Sequence, residues 1–467
     1  MEHADVVIVG LGTCGEDVGL RLAATGLDVV GIEPALVGGE CAYWACIPSK
    51  MMIRAAKLLQ EGRRINGVAG RADIVPDWTP VATRIREEAS GNWDDSTAVA
   101  RFEGRGGRFV RGHGVLTGPR TVAVDGQSFE ASRAIVIATG SRPAIPPVPG
   151  LEDVPYWTTH EAIQAEELPG SLIVLGGGAV GCELGQVFAR FGVDVTIVEA
   201  LDRLLPSEEP EASAVVTSAF EAEGIAIRAG ARAERVEAGA DSVQLSLDDE
   251  SQLEAERLLV VTGRVVNVDG LGLHLAGIDG SSGVVPVDGL LRAGDGIWAI
   301  GDVTGKGMLT HTALYQASIA AADILGEKPQ GAEYRSLPRA VFTDPEVGAV
   351  GLTEAQARAQ GIDAVVTVKN VAATFRGWLH GPGNAGVVKL VSDRAAGVLI
   401  GATAVGPHGG EVLGLLTAAV HARVPLATLR HMIYAFPTFY GAVGEALGAY
   451  ARGIGTVIDP TFEPGDA

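Results

Sequence analysis

The sequence contains few cysteines and few basic residues for its length. Only four cysteines, Cys14, Cys41, Cys46 and Cys182, occur in 467 residues, which is too few for the disulfide framework of a secreted protein. Lysine and arginine number 36 against 57 aspartates and glutamates, which gives a net charge of −21. A surface of this charge repels nucleic-acid phosphates and anionic membranes. We therefore expect no nucleic-acid or membrane partner, and we expect any disulfide to be catalytic.

Long apolar runs are also missing. Glycine, proline or charged residues interrupt every apolar stretch before it reaches the length of a membrane span. The first residues lead directly into the apolar segment Val6 to Val9, without the basic region of a signal peptide. These features predict a cytoplasmic protein. Its length predicts about three domains.

Glycine is abundant, with 64 residues, and one glycine cluster follows the first apolar segment. The pattern is Gly10-x-Gly12-x-x-Gly15, and a stretch with helical spacing comes after it. Such glycines let the pyrophosphate of a dinucleotide approach the backbone at a helix N-terminus. The next predicted strand ends at Glu33, which is placed to accept a hydrogen bond from a ribose hydroxyl. This segment predicts a dinucleotide site.

The same arrangement recurs at Gly176-x-Gly178-x-x-Gly181, and the strand that follows ends at Glu199. Two such patterns predict two bound dinucleotides. Glu199 would accept from a free ribose 2′-hydroxyl and would repel a 2′-phosphate, which favours NADH over NADPH at this second site. Arg203 is near enough in the sequence to keep NADPH open as an alternative.

Two further apolar strands end in small residues, one at Thr139-Gly140 and one at Gly301-Asp302. A cofactor could rest on either turn. Each turn could equally be an ordinary strand end.

Cys41 and Cys46 lie five residues apart, just after Gly39. Two thiols at this spacing can be bridged if a helical turn brings their Cα atoms within about 7 Å. No further cysteine or histidine lies nearby to complete a tetrahedral ligand set, so we predict no metal site. Cys14 and Cys182 lie in the glycine turns, where buried, unreactive thiols are expected, whereas an exposed position is expected for the other pair.

Together these motifs resemble those of the class I flavin-dependent pyridine nucleotide-disulfide oxidoreductases, which include dihydrolipoamide dehydrogenase, glutathione reductase and mercuric reductase. The similarity runs nearly from end to end. The motifs that carry it are Gly10–Gly15, Gly38–Lys50, Ala138–Gly140, Gly176–Gly181, Thr262–Arg264, Gly301–Asp302 and Pro338–Gly348.

The resemblance implies an α/β fold with two Rossmann-type dinucleotide-binding domains and a C-terminal α+β dimerisation domain. The implied boundaries follow the motifs. They give a FAD-binding domain over 1–149 with the cysteine pair, an NAD(P)H-binding domain over 150–264, a return to the FAD-binding part over 265–328, and a dimerisation domain over 329–467. A homodimer is therefore expected.

The resemblance also implies which residues bind the cofactors. FAD would occupy the first glycine pattern and NADH the second. The implied cofactor-binding residues are Gly10, Gly12, Gly15, Glu33, Gly39, Lys50, Thr139, Gly140, Gly176, Gly178, Gly181, Glu199, Gly263 and Asp302.

The same resemblance implies catalytic roles for four residues. Cys41 would attack the substrate, and Cys46 would face the flavin. Lys50 would lie near flavin N5 and pair with Glu183. Its charge would stabilise electron density that enters the ring and would help to hold Cys46 as a thiolate. The alternative is a solvated lysine without such a role.

The chain departs from the family pattern near its C-terminus. Members that act on disulfides usually carry a His-Pro-Thr-x-x-Glu stretch, contributed from the partner subunit. This chain has Phe436-Pro-Thr-Phe-Tyr-Gly441 instead. A phenyl ring cannot transfer a proton, so the general acid–base contribution of about 10²–10⁴ in rate must be missing or come from elsewhere. Standard lipoamide or glutathione turnover is not expected.

Several residues could replace the missing acid. Tyr434 and Tyr440 are preferred, because a phenol can donate to a leaving thiolate without a carboxylate partner. Glu445, His408 and His431 are the other candidates. Each of the five could equally have only a packing or surface role.

The acceptor is the least defined part of the prediction. Tyr43 and Trp44 lie between the cysteines, where they would crowd the substrate side and either stack on a planar acceptor or only pack. No cysteine follows Cys182, which argues against the mercuric ion, because mercuric reductases carry a C-terminal cysteine pair. Phe436 matches the proton-excluding phenylalanine of the 2-ketopropyl coenzyme M oxidoreductase/carboxylase, but Gly441 does not match its histidine.

Three functions are therefore open, and a reductase/carboxylase of the 2-ketopropyl coenzyme M type is a further alternative. In the leading one, hydride passes from NADH through FAD to the Cys41–Cys46 disulfide, and the dithiol reduces a small-molecule disulfide or electrophilic acceptor. In the second, the protein is a diaphorase whose flavin reduces a quinone or a metal ion directly. In the third, it is a non-catalytic flavoprotein scaffold or redox sensor, which the retained Lys50, Glu183 and both cysteines disfavour.

Overall fold

The computed structural model describes residues 1–450 and 457–458. The chain divides into two compact units. The first comprises Met1–Ser49, Ala82–Ala144 and Gly263–Tyr334, and the second contains Lys50–Val81, Ile145–Thr262 and the chain from Arg335 onward. The predicted boundaries at 149, 264 and 328 stay predictions. The remainder of the predicted dimerisation domain, 451–456 and 459–467, lies outside the described residues.

The first unit is built on an eight-stranded sheet. Its three central strands are parallel, and their apolar residues are buried on both faces, as is typical of parallel strands covered by helices. In spatial order the strands are Arg292–Gly294, Ile297–Ala299, Gln127–Ile137, Glu2–Val9, Val29–Glu33 and Gly107–Arg111, with Val115–Gly118 and Thr121–Val124 attached through Gln127–Ile137. A separate two-stranded ribbon pairs Ser141–Pro143 with Arg264–Val266.

Helices cover the sheet of the first unit. The helix Thr13–Ala23 packs against the helix Thr310–Ile324 in an apolar cluster on one face. The remaining helical segments are Gly39–Tyr43, the start of Cys46–Arg64, the second half of Thr79–Arg84, the π-helix Ile85–Ala89, Ser96–Glu103 and the 3₁₀ turns Gly91–Trp93, Leu273–Ala276 and Gly301–Thr304.

The second unit contains a smaller parallel sheet of four strands. Their order is Ala226–Ala229, Asp194–Glu199, Ser171–Leu175 and Arg257–Val260. An antiparallel sheet of Ala233–Ala238, Val243–Leu247 and Gln252–Ala255 shares an apolar cluster with it. The accompanying helices are Leu151–Asp153, Thr159–Gln164, Ala179–Arg190 and Pro210–Ala222.

The C-terminal part of the second unit is a six-stranded sheet with helices. The strands lie in the order Pro338–Val341, Glu346–Gly351, Val398–Gly406, Val387–Asp393, Ala364–Asn370 and Val457–Ile458, and all but the last pair are antiparallel. The helices are Glu354–Ala359, Phe375–His380, Gly409–His421, Leu426–His431 and Gly441–Tyr450.

The fold class predicted from the sequence is confirmed. In each unit, a strand of the parallel part of the sheet leads through a glycine turn into a helix, as the two glycine patterns predict. A mixed α+β part follows them. Over the residues that the structure describes, no helix combines the length and apolar character needed to cross a membrane.

Candidate active site

The first glycine turn presents an open helix N-terminus. The helix Thr13–Ala23 begins after Gly12, and no side chain caps it. A Cβ atom placed on Gly12 would meet no atom within 4 Å, whereas one on Gly15 would collide with the Gly10 carbonyl. The third glycine is thus required for packing, while the second leaves its backbone accessible. Free N–H groups at such a turn fit a pyrophosphate.

The second turn repeats this geometry. The helix Ala179–Arg190 also lacks a side-chain cap. A Cβ atom on Gly178 would meet no atom within 4 Å, and one on Gly181 would collide with the Gly176 carbonyl. Both turns therefore fit dinucleotides on their steric features alone.

A buried carboxylate accepts a hydrogen bond from the backbone of each glycine turn, and each turn with its carboxylate is here called a cradle. Glu33 accepts hydrogen bonds from the backbone N–H groups of Leu11 at 2.8 Å and Ala35 at 2.9 Å. Burial raises the pKa of Glu33, and these two donors oppose the shift. In the second cradle, Glu199 accepts from the corresponding backbone positions at 2.7 and 2.8 Å. Each carboxylate keeps lone pairs for a ribose hydroxyl.

Arg203 is engaged by its own loop. Its guanidinium contacts Asp202 at 3.1 Å and donates to the Pro206 carbonyl at 3.0 Å. These contacts occupy part of the guanidinium, whereas its Nε is buried and makes no hydrogen bond with any described residue.

Asp302 belongs to a polar chain in the first unit. The Ser141 hydroxyl donates to Asp302 at 2.5 Å, and Arg264 donates to the same hydroxyl at 2.7 Å and to Glu40 at 3.1 Å. Glu40 directly precedes the first cysteine of the pair. The sequence pattern identified Asp302 but neither its partner Ser141 nor Glu40, the partner of Arg264.

The turn at Thr139 and Gly140 is held by Asn267. The Asn267 side chain donates to the Thr139 carbonyl at 2.9 Å, and its backbone donates to the Gly140 carbonyl at 3.0 Å. Gly263, also predicted as a cofactor residue, accepts from the Ala144 N–H at 2.9 Å. Sequence analysis missed Asn267, because its polar contacts come from residues far away in the chain.

Gly39 joins the first cradle to the segment that carries the cysteines. Its backbone lies so close to Gly12 that a Cβ atom on Gly39 would collide with the Gly12 Cα. The Gly38 N–H donates to the Leu11 carbonyl at 2.8 Å. Backbone contacts therefore join the first glycine turn to the segment that leads to Cys41.

The two predicted redox cysteines lie together as free thiols. Cys41 is in the helix Gly39–Tyr43, and Cys46 begins the helix Cys46–Arg64. The hydroxyl of Thr310 lies 3.2 Å from each sulfur. Hydrogen bonding to Cys46, and then burial, raises the pKa of Cys41, while the Thr310 hydroxyl lowers it.

The expected exposure of this pair was wrong, because both cysteines are only partly exposed. Thr310 is the residue that sequence analysis missed. It lies more than 260 positions from either cysteine, and no pattern marks it. Cys14 and Cys182 are buried, as expected. Burial, followed by the charge of Asp302, raises the pKa of Cys14 to about 12.

The two aromatic residues between the cysteines do not both face the substrate side. Tyr43 is buried. Trp44 stacks on Trp93, with ring centroids 5.6 Å apart and an interplanar angle of 20°. Of the two alternatives that the sequence left open for Tyr43, its burial supports packing rather than stacking on an acceptor.

The predicted pairing of Lys50 with Glu183 is observed in the second unit. The Lys50 Nζ lies 2.8 Å from one carboxylate oxygen of Glu183, and the other oxygen accepts from the Phe342 N–H at 2.8 Å. The lysine also lies 4.9 Å from the centroid of the Phe342 ring. Glu183 is only 6% exposed, so the charge of Lys50 is held by a fixed carboxylate.

The C-terminal stretch places Tyr434 and Tyr440 side by side, with ring centroids 5.8 Å apart. The Tyr434 hydroxyl donates to the Leu429 carbonyl at 3.1 Å, and the Tyr440 hydroxyl accepts from the Ala435 N–H at 2.8 Å. Burial, followed by Tyr440, raises the pKa of Tyr434. Both phenols thus have a local partner, and their role as acids stays a prediction.

Phe436 is 75% exposed, and its ring contacts Phe375 edge-on at 5.4 Å. The other candidates for the acid have neighbours of their own. Glu445 lies 3.4 Å from Lys369, and the exposed His408 packs against a buried phenylalanine. Among the described residues, no group of three or more His, Cys, Asp and Glu side chains is arranged to hold a metal ion.

Comparison with known families decides the classification. The pyridine nucleotide-disulphide oxidoreductase model matches residues 4–317, and the dimerisation-domain model of the same family matches residues 337–447. The chain belongs to the pyridine nucleotide-disulphide oxidoreductases. It is therefore a flavin-dependent oxidoreductase that acts on a sulfur group, and its family uses FAD and NAD(P)H. The match to the dimerisation domain supports a homodimer.

Individual members of the family are similar over nearly the whole chain. The dihydrolipoyl dehydrogenase of Chlorobaculum tepidum is 35% identical over 95% of this chain and 96% of its own length. That of Mycobacterium tuberculosis is 34% identical over 96% and 100%.

Two solved structures extend the likeness to the fold. The Cu(II) complex of the HOCl-induced flavoprotein disulfide reductase RclA from Escherichia coli has a TM-score of 0.84 at 28% identity, covering 96% of this chain and 100% of that one. LpdA from Mycobacterium tuberculosis has a TM-score of 0.83 at 28% identity, with the same coverage.

Proposed function

We propose that this oxidoreductase uses Cys41 and Cys46 as a dithiol to reduce a small-molecule disulfide or another electrophilic acceptor, at the expense of NADH. The observation that carries the proposal is the shared contact of both sulfurs with the Thr310 hydroxyl. A hydroxyl in that position can donate to whichever sulfur is ionised. This arrangement suits a pair of thiols that exchange roles.

The chemistry of the dithiol is thiol–disulfide exchange. The Cys41 thiolate attacks one sulfur of the acceptor and forms a mixed disulfide, and the other half of the acceptor leaves as a thiol. Cys46 then attacks Cys41, which releases the second thiol and leaves a Cys41–Cys46 disulfide. Two electrons and two protons pass to the acceptor.

The glycine cradles support the assignment of cofactors. FAD would be held at the first by Gly10, Gly12, Gly15 and Glu33, with Gly39, Thr139, Gly140 and Asp302 nearby in that unit. When bound, FAD supplies the electron pair that restores the dithiol. Lys50 stabilises negative charge from a position fixed by Glu183.

The second cradle, formed by Gly176, Gly178 and Gly181, would hold the nicotinamide nucleotide. We propose NADH as the preferred donor. Glu199 favours a free 2′-hydroxyl, and the contacts of Arg203 with Asp202 and Pro206 leave its charge turned to its own loop. Comparing kcat/KM for NADH and NADPH tests this, and a preference for NADPH would overturn it.

The leaving thiolate needs a proton donor, and we propose Tyr434 or Tyr440 as that donor. The two rings lie against each other, and burial, followed by Tyr440, raises the pKa of Tyr434. The phenyl ring of Phe436 cannot donate this proton.

A homodimer is part of the same proposal, supported by the dimerisation-domain match and by the exposed rings of Phe375 and Phe436.

An anaerobic NADH titration of the purified holoenzyme tests the dithiol. The oxidised wild-type protein should take up roughly four electrons per subunit, two for FAD and two for the cysteine pair. Cys41→Ser should take up roughly two and lose disulfide reduction. Equal uptake by both proteins would refute the dithiol role.

A direct reductase is the second candidate, and the Cu(II) complex of RclA favours it. In this reading, the flavin reduces a metal ion or a quinone while the cysteines have no part in turnover. Reduction of Cu(II) or of a quinone at an unchanged rate by Cys41→Ser would support this candidate. Its loss in that variant would support the dithiol.

A further inference from the structure

The segment 85–95, here called the clamp, has an irregular backbone. It begins with the π-helix Ile85–Ala89 and continues into Asn92 and Trp93, whose φ angles are 58° and 55°. A π-helix is rare and is often found at functional sites. A bulky aromatic residue with positive φ is a genuine outlier. Such conformations persist only where the surrounding structure enforces them.

The clamp contacts the segment 37–46, here called the redox loop, at two points. The Trp93 ring stacks on Trp44, which lies between the two cysteines. A carboxylate oxygen of Asp95 accepts from the backbone N–H of Val37 at 2.8 Å, and Arg111 holds the same oxygen at 2.6 Å. The redox loop is therefore fixed before its first cysteine and again between its two cysteines.

The stack of tryptophans leaves one polar atom without a partner. The Nε1 of Trp93 is buried and makes no hydrogen bond. A buried, unsatisfied donor is costly, and so is the left-handed backbone that carries it. In this conformation the Trp93 ring stacks on Trp44.

We propose that Trp93 is a positioning residue of the redox pair. By stacking on Trp44 it holds the redox loop in the arrangement in which Cys41 and Cys46 are free thiols, and so shifts their equilibrium toward the dithiol. The inference rests on the proposed function of the cysteine pair. In the reaction concerned, the dithiol loses two electrons and two protons to an external disulfide, which becomes two thiols.

The equilibrium of the holoenzyme with reduced and oxidised dithiothreitol tests the proposal. Free thiols are trapped by alkylation and counted by mass spectrometry, a readout that needs no turnover. Trp93→Ala should shift the equilibrium about tenfold toward the disulfide, which is about 30 mV for a two-electron couple. Trp93→Phe keeps a ring for stacking and removes the unsatisfied N–H, so it should stay near the wild-type equilibrium.

Two further variants separate positioning from general damage. Trp44→Ala removes the same stack from the other side, so its shift and that of Trp93→Ala should not add in the double variant. Asn92→Gly relieves backbone strain without touching the stack, so it should raise the unfolding temperature and leave the equilibrium unchanged.

The outcomes are distinct. An unchanged equilibrium in Trp93→Ala and Trp44→Ala, with the fold intact by circular dichroism, would overturn the positioning role. Additive shifts in the double variant would overturn it as well. If Trp93→Ala fails to fold, Trp44→Ala decides alone. If the wild-type protein forms no Cys41–Cys46 disulfide at any ratio of the buffer, the proposed function itself fails.

Discussion

Lys50 and Glu183 form an ion pair, with the lysine Nζ 2.8 Å from the carboxylate, and the second oxygen of Glu183 is tied to the Phe342 N–H. The carboxylate is almost fully buried, while the lysine is 38% exposed. Glu183 therefore acts as the fixed partner, and Lys50 is the one that can face a ligand. This division agrees with a lysine that stabilises charge on a bound group.

Glu183→Gln should weaken this arrangement, because only one of its two hydrogen bonds can be kept. The amide can still accept from Phe342 or Lys50, but the lysine loses its counter-charge. We expect a loss of about tenfold or more in NADH turnover and a loss of about 1–2 kcal/mol in the free energy of unfolding, since the exposure of Lys50 reduces the penalty. Steady-state kinetics and urea unfolding measure both. The exposed Glu221→Gln is the control, and equal activity of the two variants would contradict the assignment.

Thr310→Val should make the Cys41 thiol less acidic. Hydrogen bonds from Thr310 and, to a smaller extent, Thr13 lower the pKa of Cys41 against Cys46 and burial, so removal of the Thr310 hydroxyl should raise this pKa further. Alkylation of the reduced enzyme by iodoacetamide should slow about threefold to tenfold at neutral pH, and its pH profile should move to higher pH. Thr310→Ser keeps the hydroxyl and should restore the wild-type profile. A profile that is identical in the valine variant would exclude the contact as a source of acidity.

Substitutions at two glycines of the second cradle should separate binding from folding. Gly178 has room for a Cβ atom, and its φ of −74° suits any residue. Gly178→Ala should therefore fold normally and raise the KM for NADH about tenfold, because the methyl group occupies the space where the backbone meets the pyrophosphate. Gly181→Ala collides with the Gly176 carbonyl and should lower the unfolding temperature. A normal KM in Gly178→Ala would place the nucleotide elsewhere.

The buried thiol of Cys14 should make the fold sensitive to alkali. Burial raises its pKa from 9.0 to about 12, so above pH 9 the unfolded chain releases a proton that the folded chain retains. The free energy of unfolding should then fall by up to about 1.4 kcal/mol per pH unit for each such thiol. Urea unfolding of the holoenzyme at pH 8, 9 and 10 checks the slope. Cys14→Ala should have a shallower slope, and an equal slope would assign the effect to other groups.

The sequence predicted those parts of the fold that depend on local pattern. Apolar strands before Gly10 and Gly176 and helices after Gly15 and Gly181 lie where the glycine spacing indicated. The pairing of Lys50 with Glu183 followed from the family resemblance rather than from spacing. It is a contact across 133 positions that no local pattern encodes.

The contacts that tune the cysteines could not be predicted. Thr310 reaches both sulfurs from the start of a distant helix, and Trp93 reaches Trp44 through a left-handed turn. Neither a threonine at the start of a helix nor a tryptophan in a turn is, by its type, a sign of contact with a cysteine pair. Tertiary packing alone brings these residues to the cysteine pair.

The contact between Gly39 and Gly12 has a consequence for how this enzyme can diversify. Because a Cβ atom on Gly39 would collide with the Gly12 Cα, a side chain at Gly39 would disturb the first glycine turn and the cysteine segment together. The residues between the cysteines lie outside this backbone contact, although Tyr43 is buried and Trp44 stacks on Trp93. Substitutions between the cysteines would therefore change the surroundings of the two sulfurs while leaving the contact of Gly39 with Gly12 in place.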